Sequence, residues 1–214
     1  MERRTPSACK RPWLRAAISL FLPVLLSCRA APVLTLARAF LVKGDSATRA
    51  KAFMRVAVEG RESERARAAV LWGLYACDAR SPVGALAGFN VARPQGGLAR
   101  LAAHRLEEAL EGSRSPVGPW RAAVAAPWLS ADDRLRLRLQ GAEALASRGE
   151  PTAGAVLLPE LGGLRGDELG RALAVTALAG GAAGPAAERS LAVGFPQLFE
   201  ATFPGRSLDR VAAT

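Results

Sequence analysis

Apolar residues recur at helical spacing through most of this chain, in four long stretches that begin about 35 residues apart. "ESERARAAVLWGLYACDAR" starts at Glu62, "GLARLAAHRLEEALEGS" at Gly97, "ADDRLRLRLQGAEALASRG" at Ala131 and "GDELGRALAVTALAGG" at Gly166. A proline follows each of them: Pro82, Pro116, Pro151 and Pro185 are separated by 34, 35 and 34 residues. Proline suits the first helical position because its φ is already fixed there and its missing N–H would have no partner anyway. Each proline is therefore expected to open a second helix, and the helix after Pro151 to carry Ala155 in its interior. The phrase Arg-Ser-Pro-Val-Gly occurs at Arg80–Gly84 and again at Arg114–Gly118, with Ser81 and Ser115 placed to act as N-caps. One helix pair cannot bury its apolar face alone, so a run of pairs implies a core shared between neighbours.

The segment from Arg134 to Leu139, "RLRLRL", alternates as a strand would. Three features make it a helix. Ser130 with Asp133 forms a capping-box pattern, and Leu135, Leu139, Ala142 and Ala146 keep i, i+4, i+7, i+11 spacing. Gly149 stands where a helix end favours a left-handed residue. Leu137 falls on another face, as expected of a helix packed by neighbours on both sides.

These patterns predict an all-α chain: an α-solenoid of about four antiparallel helix pairs behind an N-terminal signal peptide. Residues 1–27 read as the signal. Residues 28–60 form a lead-in with one helix around Ala47 to Val58, residues 61–203 the helical-repeat domain, and residues 204–214 the start of a linker to a domain beyond this chain. Composition agrees, since hydrophobic residues are 50% and aromatics 6%, and the abundant Ala, Leu and Arg lose little on entering a helix. The net charge of +10 would suit an anionic partner. However, Lys occurs only at Lys10, Lys43 and Lys51, and the arginines are scattered singly along the helices. Without a basic run interleaved with aromatics, no nucleic-acid partner is expected.

The N-terminus carries an address. Arg3, Arg4, Lys10, Arg11 and Arg15 precede the uncharged run "AAISLFLPVLLSC", which Arg29 ends, the layout of an export signal. The run is too short for a membrane span, which needs about 20 apolar residues. Its end, Leu25-Leu26-Ser27-Cys28, resembles the bacterial lipobox. That resemblance implies lipidation of Cys28, a membrane anchor made by the lipid, and, with Arg29 rather than Asp next, the periplasmic face of the outer membrane. The alternatives are a plain secretory signal cut near Ala30 or Ala31, and a buried apolar helix. Without residues 1–27 the chain keeps 24 basic against 18 acidic residues.

Of the three cysteines, Cys9 lies in the signal and Cys28 is the lipid candidate, so Cys77 is left without a disulfide partner. Cys77 sits in an apolar run and reads as a small core residue rather than a nucleophile, because the single histidine, His104, is the only obvious base. No metal, cofactor or catalytic residue is expected. Asp132 and Asp133 are adjacent at a helix start, where they oppose the dipole. "LGGLRG", Leu161 to Gly166, lacks the Lys-Ser/Thr of a phosphate loop and reads as a turn between units.

The 35-residue period resembles tetratricopeptide repeats, although that family's Trp, Leu-Gly and Tyr positions are not reproduced from unit to unit; Gly149 and Ala155 echo its small residues. The C-terminal phrase "VGFPQLFEATFPGRSLDRVAAT", with Phe195-Pro196, Phe203-Pro204 and a helix beginning at Leu208-Asp209-Arg210-Val211, resembles the end of the superhelical part of bacterial soluble-type lytic transglycosylases. In that family a lysozyme-like catalytic domain follows. Its members use one Glu of a Glu-Ser motif as acid and then base to cleave peptidoglycan. Glu62-Ser63 is not expected to play that role, because no Gly-Leu-Met-Gln phrase follows and Glu62 falls at a helix start. Two functions are expected of such a chain. One is the periplasmic scaffold of a peptidoglycan lytic transglycosylase, as a truncated or split chain with no catalytic centre of its own. The other is an independent helical-repeat lipoprotein that binds periplasmic proteins.

Overall fold

The computed structural model describes residues 35–208 and residue 211, so the signal reading and Cys28 lie outside the described residues. The described residues are all-α, with eleven α-helices, one 3-10 turn and no strand. In chain order they are α1 Leu36–Phe40, α2 Ser46–Glu59, α3 Glu62–Asp78, α4 Pro82–Ala92, α5 Gly96–Gly112, α6 Val117–Val124, α7 Ala131–Ala146, α8 Pro151–Ala155, α9 Gly166–Ala179, α10 Gly184–Gly194 and α11 Pro196–Thr202. None is long and apolar enough to cross a membrane.

The recurring Arg-Ser-Pro phrase is one physical device, used three times. Arg80 and Arg114 are left-handed, with φ of 52° and 50°, and Gly149 takes the same place at 83°. The next residue's N–H then reaches back five residues: Ser81 to the Ala76 carbonyl (2.9 Å), Ser115 to Leu110 (3.0 Å) and Glu150 to Leu145 (2.9 Å). This closes the first helix with a Schellman-type cap, and proline opens the second. Pro82 and Pro151 are the first residues of α4 and α8, and Pro185 is the second of α10.

The serines differ from their expected role. Neither Ser81 nor Ser115 caps a helix with its hydroxyl. Ser81 has ψ 79°, whereas the residues that do cap with a side chain, Thr35, Asp45 and Ser130, have ψ of 152°, 173° and 164°. Only that extended geometry brings the side-chain oxygen over the first-turn N–H groups. In the second copy Pro116 is itself the N-cap, and the buried Ser115 hydroxyl pairs with Ser113 at 2.7 Å.

The "RLRLRL" segment is helical, and its burial explains the alternation. Leu137, Gly141 and Leu145, one turn apart, are buried, and Leu137 and Leu145 belong to the core shared with the preceding pair. Leu139, with the half-buried Leu135, faces Leu164 and Ala172 of the following segment. Leu137 thus lies at the centre of one buried face, and two apolar faces on one helix produce a period that mimics a strand. Ser130 caps α7 as expected, its Oγ accepting from the Asp133 N–H at 3.1 Å.

Close contacts between helices rest on glycine. A Cβ at Gly88 of α4 would lie 2.7 Å from the backbone N of Gly73 in α3, and one at Gly141 would lie 2.7 Å from the Trp120 ring of α6. The short helix α8 departs from expectation, because it ends at Ala155, which is its last residue rather than an interior one. Gly154 is pressed against the Ala142 carbonyl, and Pro159 disfavours a helical Leu158 just before it. Leu157 instead turns into the core.

The long helices α3, α5, α7 and α9 contact one another in succession, tied by rungs that the scattered arginines did not reveal. Arg105 of α5 pairs with Asp78 of α3. Arg136 of α7 reaches Glu107 of α5 at 3.1 Å. Arg171 of α9 grips both carboxylate oxygens of Glu143 on α7, at 2.5 and 2.6 Å. The lead-in holds two helices rather than one. Phe53 and Val56 of α2 share a buried cluster with Ala68 and Ala69 of α3, Phe53 stacks on Tyr75 at 5.4 Å, and Glu64 accepts the Leu36 N–H at 2.8 Å. At the other end Phe199 is buried, and Phe203, Leu208 and Val211 pack around its cluster.

Candidate binding cleft

Two connections between pairs, Arg93–Gln95 before α5 and Ala125–Ser130 before α7, border a cleft of about 850 Å³. Pro94 and Pro127, both in its lining, cannot continue the helices that precede them. Trp128 forms one wall. It is half-buried, its indole N–H donates to Asn90 Oδ1 at 2.9 Å, and its ring stands edge-on to Phe89 at 5.6 Å. These two contacts hold the ring in place with part of it open to the cleft.

Two cations flank the tryptophan in the lining, Arg93 and Arg100, both exposed. Arg93 ends α4 in a left-handed conformation. The α5 N-terminus opens onto the same space: Gln95 makes no side-chain cap, and the Cβ positions of Gly96 and Gly97 face nothing within 4 Å. Asp133 also lines the cleft, but its carboxylate is committed, receiving the Ser130 hydroxyl at 2.7 Å and pairing with Arg136 at 3.2 Å. The arrangement offers an immobilised aromatic face with guanidinium and backbone N–H donors beside it. Such a surface suits a ligand with a flat C–H face and carboxylate groups.

The residues weighed in the sequence lie elsewhere, apart from Asp133. Glu62 and Ser63 are exposed at the start of α3, and Glu62 with Glu64 supplies the acidic first turn. Asp132 and Asp133 occupy the same place in α7. Cys77 is buried, and desolvation pushes its thiol up to about 12, so it is no thiolate at neutral pH. His104 is exposed on α5, with its Nε2 3.6 Å from Glu108. The "LGGLRG" segment is a connection containing the 3-10 turn Leu161–Gly163. Among the described residues no group of three His, Cys, Asp or Glu is placed to hold a metal. Trp128, Arg93 and Arg100 were not singled out from sequence. The signal that could have found them is the pair of connections Arg93-Pro94-Gln95-Gly96-Gly97 and Pro127-Trp128, which put an aromatic and a Gly-Gly helix start at equivalent joints.

No protein-family model matches this chain, and no curated protein and no solved structure matches it either.

Proposed function

We propose that this chain is an exported α-solenoid that binds peptidoglycan and serves as the scaffold of a wall-cleaving lytic transglycosylase, anchored by lipid on Cys28. The observation that carries the reading is the Trp128 cleft. A glycan strand offers sugar C–H faces to an aromatic ring, and its peptide stems offer carboxylates to Arg93 and Arg100. Support for the solenoid comes from three Schellman-type junctions, each followed by a proline, and from long helices that contact in succession. Support for the enzyme association comes from the C-terminal phrase, whose Phe199 and Phe203 close a cluster at the end of the array.

The test is binding of the purified chain to murein sacculi. Retention in the pellet is expected. Trp128→Ala should weaken it by about tenfold or more, and Arg93→Gln with Arg100→Gln by less. If the chain stays in the supernatant, the wall reading falls, and the second reading, a scaffold for periplasmic proteins, takes its place. That reading draws on Val91, Leu98 and Leu101, exposed apolar residues on α4 and α5. The anchor has its own test: Cys28→Ala should abolish palmitate labelling and release the chain from the membrane fraction, and an unlabelled parent would remove the lipid from the proposal.

A further inference from the structure

The alternating arginines of α7 part company. Arg136 turns to Glu107 of α5. Arg134 and Arg138, one turn apart, line a separate pocket of about 540 Å³, and Arg121 of α6 joins them. Val124, Ala125 and Val156–Leu158 complete the lining, so no carboxylate faces these three guanidinium groups across the pocket. Among the described residues neither the Arg121 nor the Arg138 side chain makes an ion pair or a hydrogen bond.

Arg134 is held in place, its Nε donating to the Val124 carbonyl at 3.0 Å and its Nη2 to that of Ala126 at 3.3 Å. It thereby satisfies the C-terminal end of α6 and keeps its charge at the pocket wall. Like charges spaced i, i+4 on a helix oppose its stability, and a third cation from another helix adds to the opposition. Three other arginines on the long helices, Arg105, Arg136 and Arg171, each meet a carboxylate of a neighbouring helix. Here the fold gathers three and supplies no counter-charge of its own.

We propose that this pocket binds a phosphate group. A carboxylate carries one charge and is matched by one guanidinium fork, whereas a phosphate dianion presents more oxygens and charge than one fork can satisfy. The same chemistry is offered by free inorganic phosphate and by a phosphate monoester headgroup of a lipid.

Titration calorimetry of the purified full chain with inorganic phosphate, in chloride of matched ionic strength, measures the first source. Co-sedimentation with phosphatidylcholine vesicles, with and without phosphatidic acid, measures the second. Arg121→Gln and Arg138→Gln, on different helices, should each weaken phosphate binding about tenfold or more. Arg100→Gln, in the other cleft, should leave it unchanged, with the helical circular dichroism of all three preserved. Arg138→Lys keeps the charge but loses the fork and should fall between. Binding of free phosphate that both substitutions abolish supports a soluble ligand. Sedimentation that depends on phosphatidic acid and on both arginines supports the headgroup. Binding to neither probe, or binding that both substitutions leave intact, overturns the proposal.

Discussion

The long helices and the short ones obey different rules. α3, α5, α7 and α9 have 17, 17, 16 and 14 residues and start at residues 62, 96, 131 and 166. Their partners α4, α6, α8 and α10 have 11, 8, 5 and 11. A long helix meets the one before it and the one after it, and its charged rungs and two apolar faces hold its length and register. A short helix covers its own partner and also touches the neighbouring unit, as α8 does α9, but it carries none of those charged rungs and its end is free to vary. Two openings on the molecule draw on that freedom. The tryptophan cleft is bordered by the connections that follow α4 and α6, and the arginine pocket by the ends of α6 and α8, the two shortest helices of the four pairs. Regularity in one set builds the frame, and irregularity in the other makes room for ligands.

The sharpest test of that contrast is Trp120, which α6 inserts, fully buried, against Gly141 of α7. Trp120→Ala should cost about 3–5 kcal/mol in chemical denaturation. Its indole N–H has no hydrogen-bond partner among the described residues, so Trp120→Phe should retain most of the stability. A loss below about 1 kcal/mol for Trp120→Ala would mean that the short helices are dispensable to the frame. Next comes Gly88→Ala, which sets a methyl group against the α3 backbone and should cost about 1–3 kcal/mol, read as a lower urea midpoint. A neutral result would show that α4 can slide on α3.

Smaller effects follow at the joints and the rungs. Arg80 and Arg114 occupy the left-handed position that Gly149 fills in the third junction. Arg80→Gly is therefore expected to stabilise by roughly 0.5 kcal/mol, since the relief of strain is partly offset by the flexibility of glycine in the unfolded chain. A clear destabilisation would mean that the arginine side chain itself supports the junction.

The smallest change at neutral pH is predicted for Glu107→Gln. Burial raises the Glu107 pKa, and Arg136 only partly opposes it. A raised carboxyl pKa means the folded chain holds the proton more tightly than the unfolded one. The wild-type contribution from this group is therefore greatest in acid and is lost as pH rises from the ordinary carboxylate range through the raised value. Glu107→Gln should flatten that slope in a thermal-melting series from about pH 4 to about pH 7 and lose nothing at the upper end, because it removes a buried charge. A marked loss there would instead make this rung a net support of the frame.

Much of the frame was legible in the residues. The starts of the long helices fall within one residue of the positions expected from their patterns, because amphipathic spacing and proline placement are local properties. Three features were not legible. Ser115 looked like a cap, yet its buried hydroxyl pairs with Ser113 instead, since capping depends on a ψ that the tertiary junction sets. The helix of α8 stops at Ala155, because Leu157 gains more from burial than from one further helical turn. Trp128 and the three pocket arginines belong to segments that no short-range pattern joins.

The sequence by itself determined the all-α class, the 34–35-residue step and the proline that opens each second helix, since helix propensity, periodicity and φ restriction act within a few residues. Only the tertiary structure decided which of the scattered arginines are paired across helices and which gather around a pocket. Arg105, Arg136 and Arg171 meet carboxylates 27 to 29 residues away in sequence, while Arg121, Arg134 and Arg138 line one pocket with no carboxylate in its wall. Which side chain finds a partner depends on the rotation of one helix against the next. That rotation is set by packing between helices, as of Trp120 against Gly141, so no window of sequence contains it.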